Sequence, residues 1–216
     1  MKPGAKIASA TVIALATGSF LFLSNTKSKP IEIPSYSVSR VIDGDTFVTS
    51  ENQHIRISST EAPELDQCGG LEAKKTLEKL ILNKPIYLKV LFLDPYKRLV
   101  SQVYTPDAFI NEKMLENGYS YYYRRSSEES DVLKIAGASA RSKKKGIFGN
   151  RCTQTVNIAD PSCNIKGNIR TGKFYILPSC GAYYEQTQVQ LYLGDRWFCS
   201  ESEAIRAGFR PPSQCP

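Results

Sequence analysis

The sequence predicts a small β-barrel with helices at its ends, followed by a small disulfide-rich α+β module. The barrel is predicted because five short β-rich runs are interleaved with helical segments between residues 36 and 148, an order that suits a Greek-key barrel. The second module is predicted because the last 54 residues hold four of the six cysteines. A segment this short cannot build a large core, and cross-links would stabilise it.

Local patterns predict the individual elements. Asp43-Gly44 between the first two β-rich runs is a strong hairpin signal, and Ile55 and Ile57 alternate as in a strand with one buried face. Leu71–Leu82 has apolar residues at i, i+4, i+7 and i+8, which predicts a helix. The remaining elements are strands over 85–93 and 99–104, a helix over 110–117 before Gly118, and a helix opened by the capping box Ser126-x-x-Glu129.

Composition and charge narrow the function classes. Hydrophobic residues make up 41% and charged residues 23% of the chain, which is ordinary globular composition and excludes collagen or wholesale disorder. The net charge is +7, but four lysines in the first 29 residues supply more than half of it, so it is weak support for a nucleic-acid partner. His54 is the only histidine. Zinc sites built on several histidines are therefore excluded, and any chemistry must use carboxylates, Arg, Lys, Tyr or Cys.

Residues 1–24 have the pattern of a targeting segment. Lys2 and Lys6 precede an apolar run from Ile7 to Leu23, as in a secretory signal peptide or an N-terminal membrane anchor. The run is longer than most signal cores and slightly short of a membrane span, so both alternatives stay open. Either one predicts that residues 30–216 are extracellular or lie at the cell surface.

The six cysteines agree with export, because an even number in an exported chain suggests disulfides. Spacing alone permits fifteen connectivities. The predicted organisation is a leader over 1–24, a linker over 25–35, a barrel domain over 36–150, a linker over 151–162 and a cysteine-containing module over 163–216.

Carboxylates and arginines recur around the predicted hairpins. The set that stands out is Asp45, Arg56, Glu61, Glu64 and Arg98. Carboxylate oxygens and backbone carbonyls suit a hard cation such as Ca²⁺ or Mg²⁺, and Arg presents a planar fork to phosphate oxygens. A cation, two arginines and a spare carboxylate are the parts required to hydrolyse a phosphodiester.

Residues 36–148 resemble the staphylococcal nuclease (thermonuclease) family through four motifs in order. These are Val41-Ile42-Asp43-Gly44-Asp45-Thr46, Arg56 with Pro63-Glu64, Asp94-x-Tyr96-x-Arg98, and Asn111-Glu112…Gly118 with the closing Gly146-Ile147-Phe148. Four ordered matches are specific where one would be weak. The resemblance implies an OB-fold barrel in which Arg56, Glu64 and Arg98 are catalytic. It also implies Ca²⁺ bound by Asp45, by the side chain of Glu61 and by the backbone carbonyl of Ala62.

The same resemblance implies an exported Ca²⁺-dependent nuclease that hydrolyses DNA and RNA at the 5′-O–P bond, leaves 3′-phosphates and contacts substrate through Tyr96, with no obligate protein partner. Two departures stand out: Glu61 replaces the family's usual Asp, and Lys97 replaces its usual Gly. The alternative is a non-catalytic OB-fold protein that binds nucleic acid and has a degenerate metal site. The intact set of Arg56, Glu64 and Arg98 favours the enzyme.

The C-terminal module resembles, more distantly, the zinc module of the Ada DNA-repair protein. Ile176 and Pro212 occupy two of its four cysteine positions, which leaves Cys180 and Cys215, and two ligands do not make a structural zinc site. Residues that share one metal must lie close together, so the resemblance implies a disulfide between these two cysteines. It leaves Cys163–Cys199 as the other pair of the module and Cys68–Cys152 as the third disulfide.

Overall fold

The computed structural model describes residues 35–124, 130–170 and 172–213, which belong to one compact unit. Three predictions lie outside these residues: the leader over 1–24, the capping box over 126–129 and, because of Cys215, the Cys180–Cys215 disulfide. Among the residues described, no helix has the length and apolar character that a membrane span requires.

The secondary structure follows the predicted order. The strands are β1 (Val38–Val41), β2 (Thr46–Thr49), β3 (His54–Ile57), β4 (Thr60–Glu61), β5 (Tyr87–Leu93), β6 (Leu99–Thr105), β7 (Ala108–Phe109), β8 (Tyr121–Tyr122), β9 (Thr153–Gln154), β10 (Ile165–Asn168), β11 (Phe174–Ile176), β12 (Val189–Gln190) and β13 (Arg196–Phe198). The helices are α1 (Gly70–Ile81), α2 (Ile110–Glu116), α3 (Ser130–Ser142), α4 (Ala182–Gln186) and α5 (Glu201–Arg206), with short 3-10 turns at Gly146–Phe148, Pro178–Cys180 and Leu191–Leu193.

The main sheet closes into a barrel. Its order is β1-β2-β3-β6-β5, with β3 and β6 parallel and the other neighbours antiparallel. Tyr36, just before β1, bridges to Ile86, just before β5, through N–H···O bonds of 2.8 and 3.0 Å. This bridge joins the two outer strands of the sheet. The mixed sheet with its helices has the OB-like architecture that the sequence predicts.

The barrel core is formed by the alternating residues of the strands and by one face of α1. Phe47, Ile55 and Ile57 are fully buried in it, and α1 contributes Leu77 and Ile81. The helical face predicted for 71–82 is therefore the buried face, and the observed bounds differ from the prediction by one residue at each end.

The C-terminal residues form a second sheet in the antiparallel order β11-β10-β13. The Cys163–Cys199 disulfide joins the residues just before β10 and just after β13, and it is one of the predicted pairs. Strand β9 lies in the segment predicted as a linker and pairs with β12. The domain boundaries around 151–162 stay a prediction.

Buried contacts run from the barrel domain into the C-terminal residues. Tyr192 is fully buried against Ile147, Phe148 and Cys152, and Cys152 forms the predicted disulfide with Cys68. The C-terminal residues are therefore packed on the last helix of the barrel domain and are tied to the loop that precedes α1.

Candidate active site

A polar cleft of about 200 Å³ lies at the end of the first hairpin. The residues that line it are Asp43, Asp45, Thr46, Arg56, Glu61, Ala62, Pro63, Glu64 and Arg98. All three predicted catalytic residues and all three predicted cation ligands are among them. The barrel thus brings into one place residues that are up to 55 positions apart in the sequence.

Asp45 is positioned by the hairpin turn that precedes β2. Its buried carboxylate accepts hydrogen bonds from the Ala62 N–H at 2.6 Å and from the Thr46 hydroxyl at 3.1 Å. A Cβ on Gly44 would lie 2.5 Å from the Ala62 Cβ, which is too close for any side chain. Glycine therefore lets the turn pack directly against the chain at Ala62, and this contact fixes Asp45 beside the Ala62 backbone.

Arg56 forms ion pairs with both predicted acidic cation ligands. Because Thr46 and Arg56 are register partners in β2 and β3, the guanidinium reaches the Asp45 carboxylate, and its Nη2 lies 2.9 Å from Glu61 Oε2. The side chains of Arg56 and Asp45 are 4% and 8% exposed, whereas that of Glu61 is 31% exposed. The Arg56–Asp45 pair is therefore shielded from water, and the pair with Glu61 is partly solvated.

The surroundings of Asp45 favour its protonated form. Burial, which removes water from the carboxylate, raises the pKa of Asp45 to about 7, and the neighbouring carboxylates of Asp43 and Glu61 act in the same direction. The positive charge of Arg56 and the Ala62 N–H oppose this shift. More positive charge next to Asp45 would stabilise its ionised form.

Glu64 is exposed on a loop that is held firmly at its base. The Glu64 N–H donates to Gln67 Oε1 at 3.1 Å, and the Glu64 carbonyl accepts from the Gln67 N–H at 2.9 Å. A Cβ on Gly70 would lie 1.9 Å from the Glu64 carbonyl oxygen, so α1 can begin this close to the loop only with glycine. The Cys68–Cys152 disulfide, with a Cα–Cα distance of 5.5 Å, anchors the same loop.

Arg98 is oriented by Asp94 in the turn between β5 and β6. The buried Asp94 carboxylate accepts from the Arg98 backbone N–H at 2.9 Å and from Arg98 Nε at 2.8 Å. Burial alone would raise the pKa of Asp94, but the hydrogen bonds and charge of Arg98 and the Tyr96 N–H lower it overall. The sequence motif contains Asp94 but assigns it no role. Its position at a turn, four residues before an arginine, is the feature of the sequence that indicates this contact.

Tyr96 does not line the cleft. Its side chain is one of the most exposed large hydrophobic side chains described, at 81%, and the Arg98 guanidinium carbon lies 5.4 Å from its ring centroid. The substrate contact predicted for Tyr96 stays a prediction. In the same turn Lys97 has a φ of 61°, a left-handed conformation that explains why glycine suits this position better than lysine.

Comparison with known proteins agrees with this geometry. Residues 54–150 match the family model described as "Staphylococcal nuclease homologue". The matched range contains Arg56, Glu61, Glu64 and Arg98, whereas Asp45 lies before it and the C-terminal residues lie after it. The similarity to the staphylococcal nuclease family is therefore supported for the barrel domain. The similarity of the C-terminal residues to the Ada zinc module is not.

Curated relatives match the chain over about half of its length. An uncharacterized endonuclease of Escherichia coli O157:H7 is 29% identical over 117 residues, which are 52% of this chain and 76% of the relative. An uncharacterized endonuclease of Haemophilus influenzae is 32% identical over 52% of this chain and 65% of its own length. A probable staphylococcal-like nuclease of Oryza sativa subsp. japonica is 35% identical over 49% of this chain, but the match spans only 28% of the plant protein.

Proposed function

We propose that the protein is an exported, Ca²⁺-dependent nuclease that hydrolyses phosphodiester bonds of DNA and RNA at the 5′-O–P bond and leaves 3′-phosphates. The observation that carries the proposal is the cleft itself, in which two arginines, an exposed glutamate and a pair of buried or half-buried acids line one polar cavity. Relatives named as endonucleases support the reaction class. The apolar run over residues 7–23 supports export, with or without a retained membrane anchor.

The donor atoms of the cleft fit a hard cation. Asp45, Glu61 and the Ala62 carbonyl offer only oxygen, the ligand type that Ca²⁺ prefers. Among the described residues, one group of three His, Cys, Asp or Glu side chains has its ligand atoms within 4.8 Å of one another: Asp160, Cys163 and Cys199. This group lies outside the cleft, and its two cysteines are joined in a disulfide. The cleft would thus provide two carboxylates and a carbonyl, and water would complete the coordination.

The two arginines and Glu64 have separate roles in the proposed reaction. A bound cation would supply positive charge to a phosphate oxygen and offset the charge that develops in the transition state. Arg98, whose Nε is fixed by Asp94, would direct the two Nη groups of its guanidinium to phosphate oxygens. The exposed Glu64 carboxylate would orient a water molecule and accept its proton. Arg56 would move from the acids to the phosphate and stabilise the transition state.

One observation favours the alternative of a non-catalytic nucleic-acid-binding protein. Arg56 pairs with both acidic ligands, so its guanidinium could take the place of a cation and leave Arg98 to hold a phosphate in an inert groove. The two functions differ in their response to metal. A nuclease needs the cation for cleavage, whereas a protein that only binds the phosphate backbone depends on salt and not on Ca²⁺.

The test is cleavage of a single-stranded DNA and an RNA oligonucleotide by the full chain, in Ca²⁺ and in chelator. We expect cleavage in Ca²⁺ only, products with 3′-phosphates, and a loss of about 10²–10³-fold in rate for Arg98→Ala, as for other groups that stabilise transition-state charge. Binding without cleavage in Ca²⁺ would favour the alternative. Cleavage that is unchanged in Arg98→Ala would contradict the proposed site.

A further inference from the structure

A second cavity, of about 340 Å³, lies where the barrel domain meets the C-terminal residues. The barrel domain contributes Tyr121 and Tyr123 from β8 and its end, and Arg141 from α3. The C-terminal residues contribute Arg170, which follows β10, and Tyr192. Aromatic rings and arginines in one groove are the combination with which proteins hold single-stranded nucleic acid, because bases stack on rings and phosphates pair with guanidinium groups.

This cavity is a direct neighbour of the cleft. Tyr121 is the register partner of Glu61 in the β4–β8 pair, so one wall of the cavity and one acid of the cleft belong to the same two-stranded ladder. Charges of both signs act on the Tyr121 hydroxyl. Burial first, and then the Glu61 charge, raise the pKa of Tyr121 to about 12, while the positive charge of Arg170 opposes them. Arg170 lines the same cavity as Tyr121, and Tyr121 pairs with the cleft acid Glu61 in the β4–β8 ladder.

The two arginines of the cavity differ in how they are held. The Arg141 guanidinium lies over the Phe148 ring at 4.4 Å, and its positive charge opposes the rise that burial causes in the pKa of Tyr192, so it is part of the packing. Arg170 is exposed, and within the described residues its guanidinium has no ion pair with a carboxylate. The buried Asp195 carboxylate accepts hydrogen bonds from the N–H groups of Ile169 and Gln190, while the positive charge of Arg170 opposes the rise that burial causes in the pKa of Asp195.

We propose that Arg170 binds a backbone phosphate of a single-stranded nucleic acid whose scissile bond occupies the cleft. The phosphate that Arg170 binds is not the reacting one. The nucleotide next to that phosphate lies beside the tyrosines of the cavity. The C-terminal residues then have a function beyond stabilisation, since they lengthen the substrate groove by one phosphate position. This inference rests on the proposed nuclease function and adds a substrate-binding residue that lies outside the matched family segment.

The test uses the full chain with Arg170→Ala and Arg170→Lys, and with Arg206→Ala as the matched control, because Arg206 is an exposed arginine on α5 and does not line the cavity. Cleavage is measured on a dinucleotide and on a twelve-nucleotide DNA strand. Removing one phosphate contact should raise the KM for the long strand about fivefold and leave kcat and dinucleotide cleavage unchanged.

Binding of the same strand, measured by fluorescence anisotropy in chelator, gives a readout that needs no catalysis. The slope of log Kd against log salt should fall by about 0.7 in Arg170→Ala, as expected for one lost phosphate contact on a single strand. Arg170→Lys keeps the charge and should retain the slope.

The outcomes separate the inference from the proposed function. If wild-type protein cleaves but Arg170→Ala has the KM and salt slope of Arg206→Ala, the inference is wrong and the nuclease function stands. If wild-type protein does not cleave, the proposed function fails, and the anisotropy slopes still decide whether Arg170 contacts the strand.

Discussion

Replacement of Arg56 by glutamine should tighten Ca²⁺ binding while it removes activity. In the cleft the Arg56 guanidinium pairs with Asp45 and Glu61, the same carboxylates that would bind the cation. Arg56 and Ca²⁺ therefore compete for these oxygens. Glutamine keeps much of the side-chain volume but lacks the charge, so the cation no longer has to displace a guanidinium.

The size of the effect follows from the exposure of the two pairs. The Asp45 pair is almost fully buried, and an interaction of this kind with a charged group contributes about 1.5–3 kcal/mol. The Glu61 partner is 31% exposed, which reduces its pair to a few tenths of a kcal/mol. A total of about 2 kcal/mol corresponds to roughly 30-fold tighter Ca²⁺ binding.

The assay is calorimetric titration of Ca²⁺ into the full chain at a series of pH values, because loss of Arg56 raises the pKa of Asp45 above its wild-type value of about 7 and the affinities are compared for the ionised carboxylate. Arg98→Gln is the matched control, since Arg98 forms an ion pair with Asp94, which is not a proposed cation ligand. Without Ca²⁺, Arg56→Gln should lose up to about 3 kcal/mol of stability, because Asp45 is left buried without its cationic partner and avoids an unpaired charge only by taking up a proton. Added Ca²⁺ should restore most of this loss.

Unchanged or weaker Ca²⁺ affinity in Arg56→Gln would refute the reasoning, because it would mean that the guanidinium and the cation do not share ligands. Equal tightening in Arg98→Gln would refute it too, because the effect would then reflect net charge rather than competition at Asp45 and Glu61.

Three further predictions concern pH, the turn at Lys97 and the loop disulfide. Because Asp45, with a pKa of about 7, is ionised above that pH and protonated below it, Ca²⁺ affinity should be about tenfold lower at pH 6 than at pH 8; a flat titration profile would exclude Asp45 as a ligand. Lys97→Gly relieves a φ of 61° and should stabilise the fold by about 0.5–1 kcal/mol in urea unfolding, whereas a loss of stability would contradict the strain. Cys68→Ser with Cys152→Ser opens a loop of sequence separation 84 and should cost about 4–5 kcal/mol in the same measurement; peptide mapping that joins Cys68 to another cysteine would contradict this disulfide.

The parts of the fold with local signals could be predicted from the sequence. The apolar pattern of α1 depends only on residues in neighbouring turns of the helix, and its predicted bounds are close to those observed. The first hairpin is likewise indicated by its own turn, Asp43-Gly44. The β4–β8 ladder has only two residues in each strand. A pair this short has no alternation to detect, and its partners are brought together only by the folded barrel.

The site could be predicted as a set of residues but not as a set of contacts. The resemblance to the staphylococcal nuclease family indicates Asp45, Arg56 and Glu61 and implies a cation for the acids and a catalytic role for the arginine, but it says nothing of contacts among the three. The β2–β3 register places Arg56 beside Thr46, and this is why the three side chains pair with one another. The position of Arg170 depends on the packing of the C-terminal residues on the barrel domain, which no local pattern encodes.

The central claim, that Glu64 serves a Ca²⁺-dependent hydrolysis in this cleft, is tested most directly by comparing Glu64→Gln with Asp66→Asn. Both carboxylates are exposed on the same loop, but only Glu64 lines the cleft. Cleavage rates of a single-stranded oligonucleotide, measured across a Ca²⁺ titration, should fall by about 10²–10⁴-fold in Glu64→Gln and stay within twofold of wild type in Asp66→Asn. Equal rates in Glu64→Gln and wild type, or a rate that does not depend on Ca²⁺, would contradict the account.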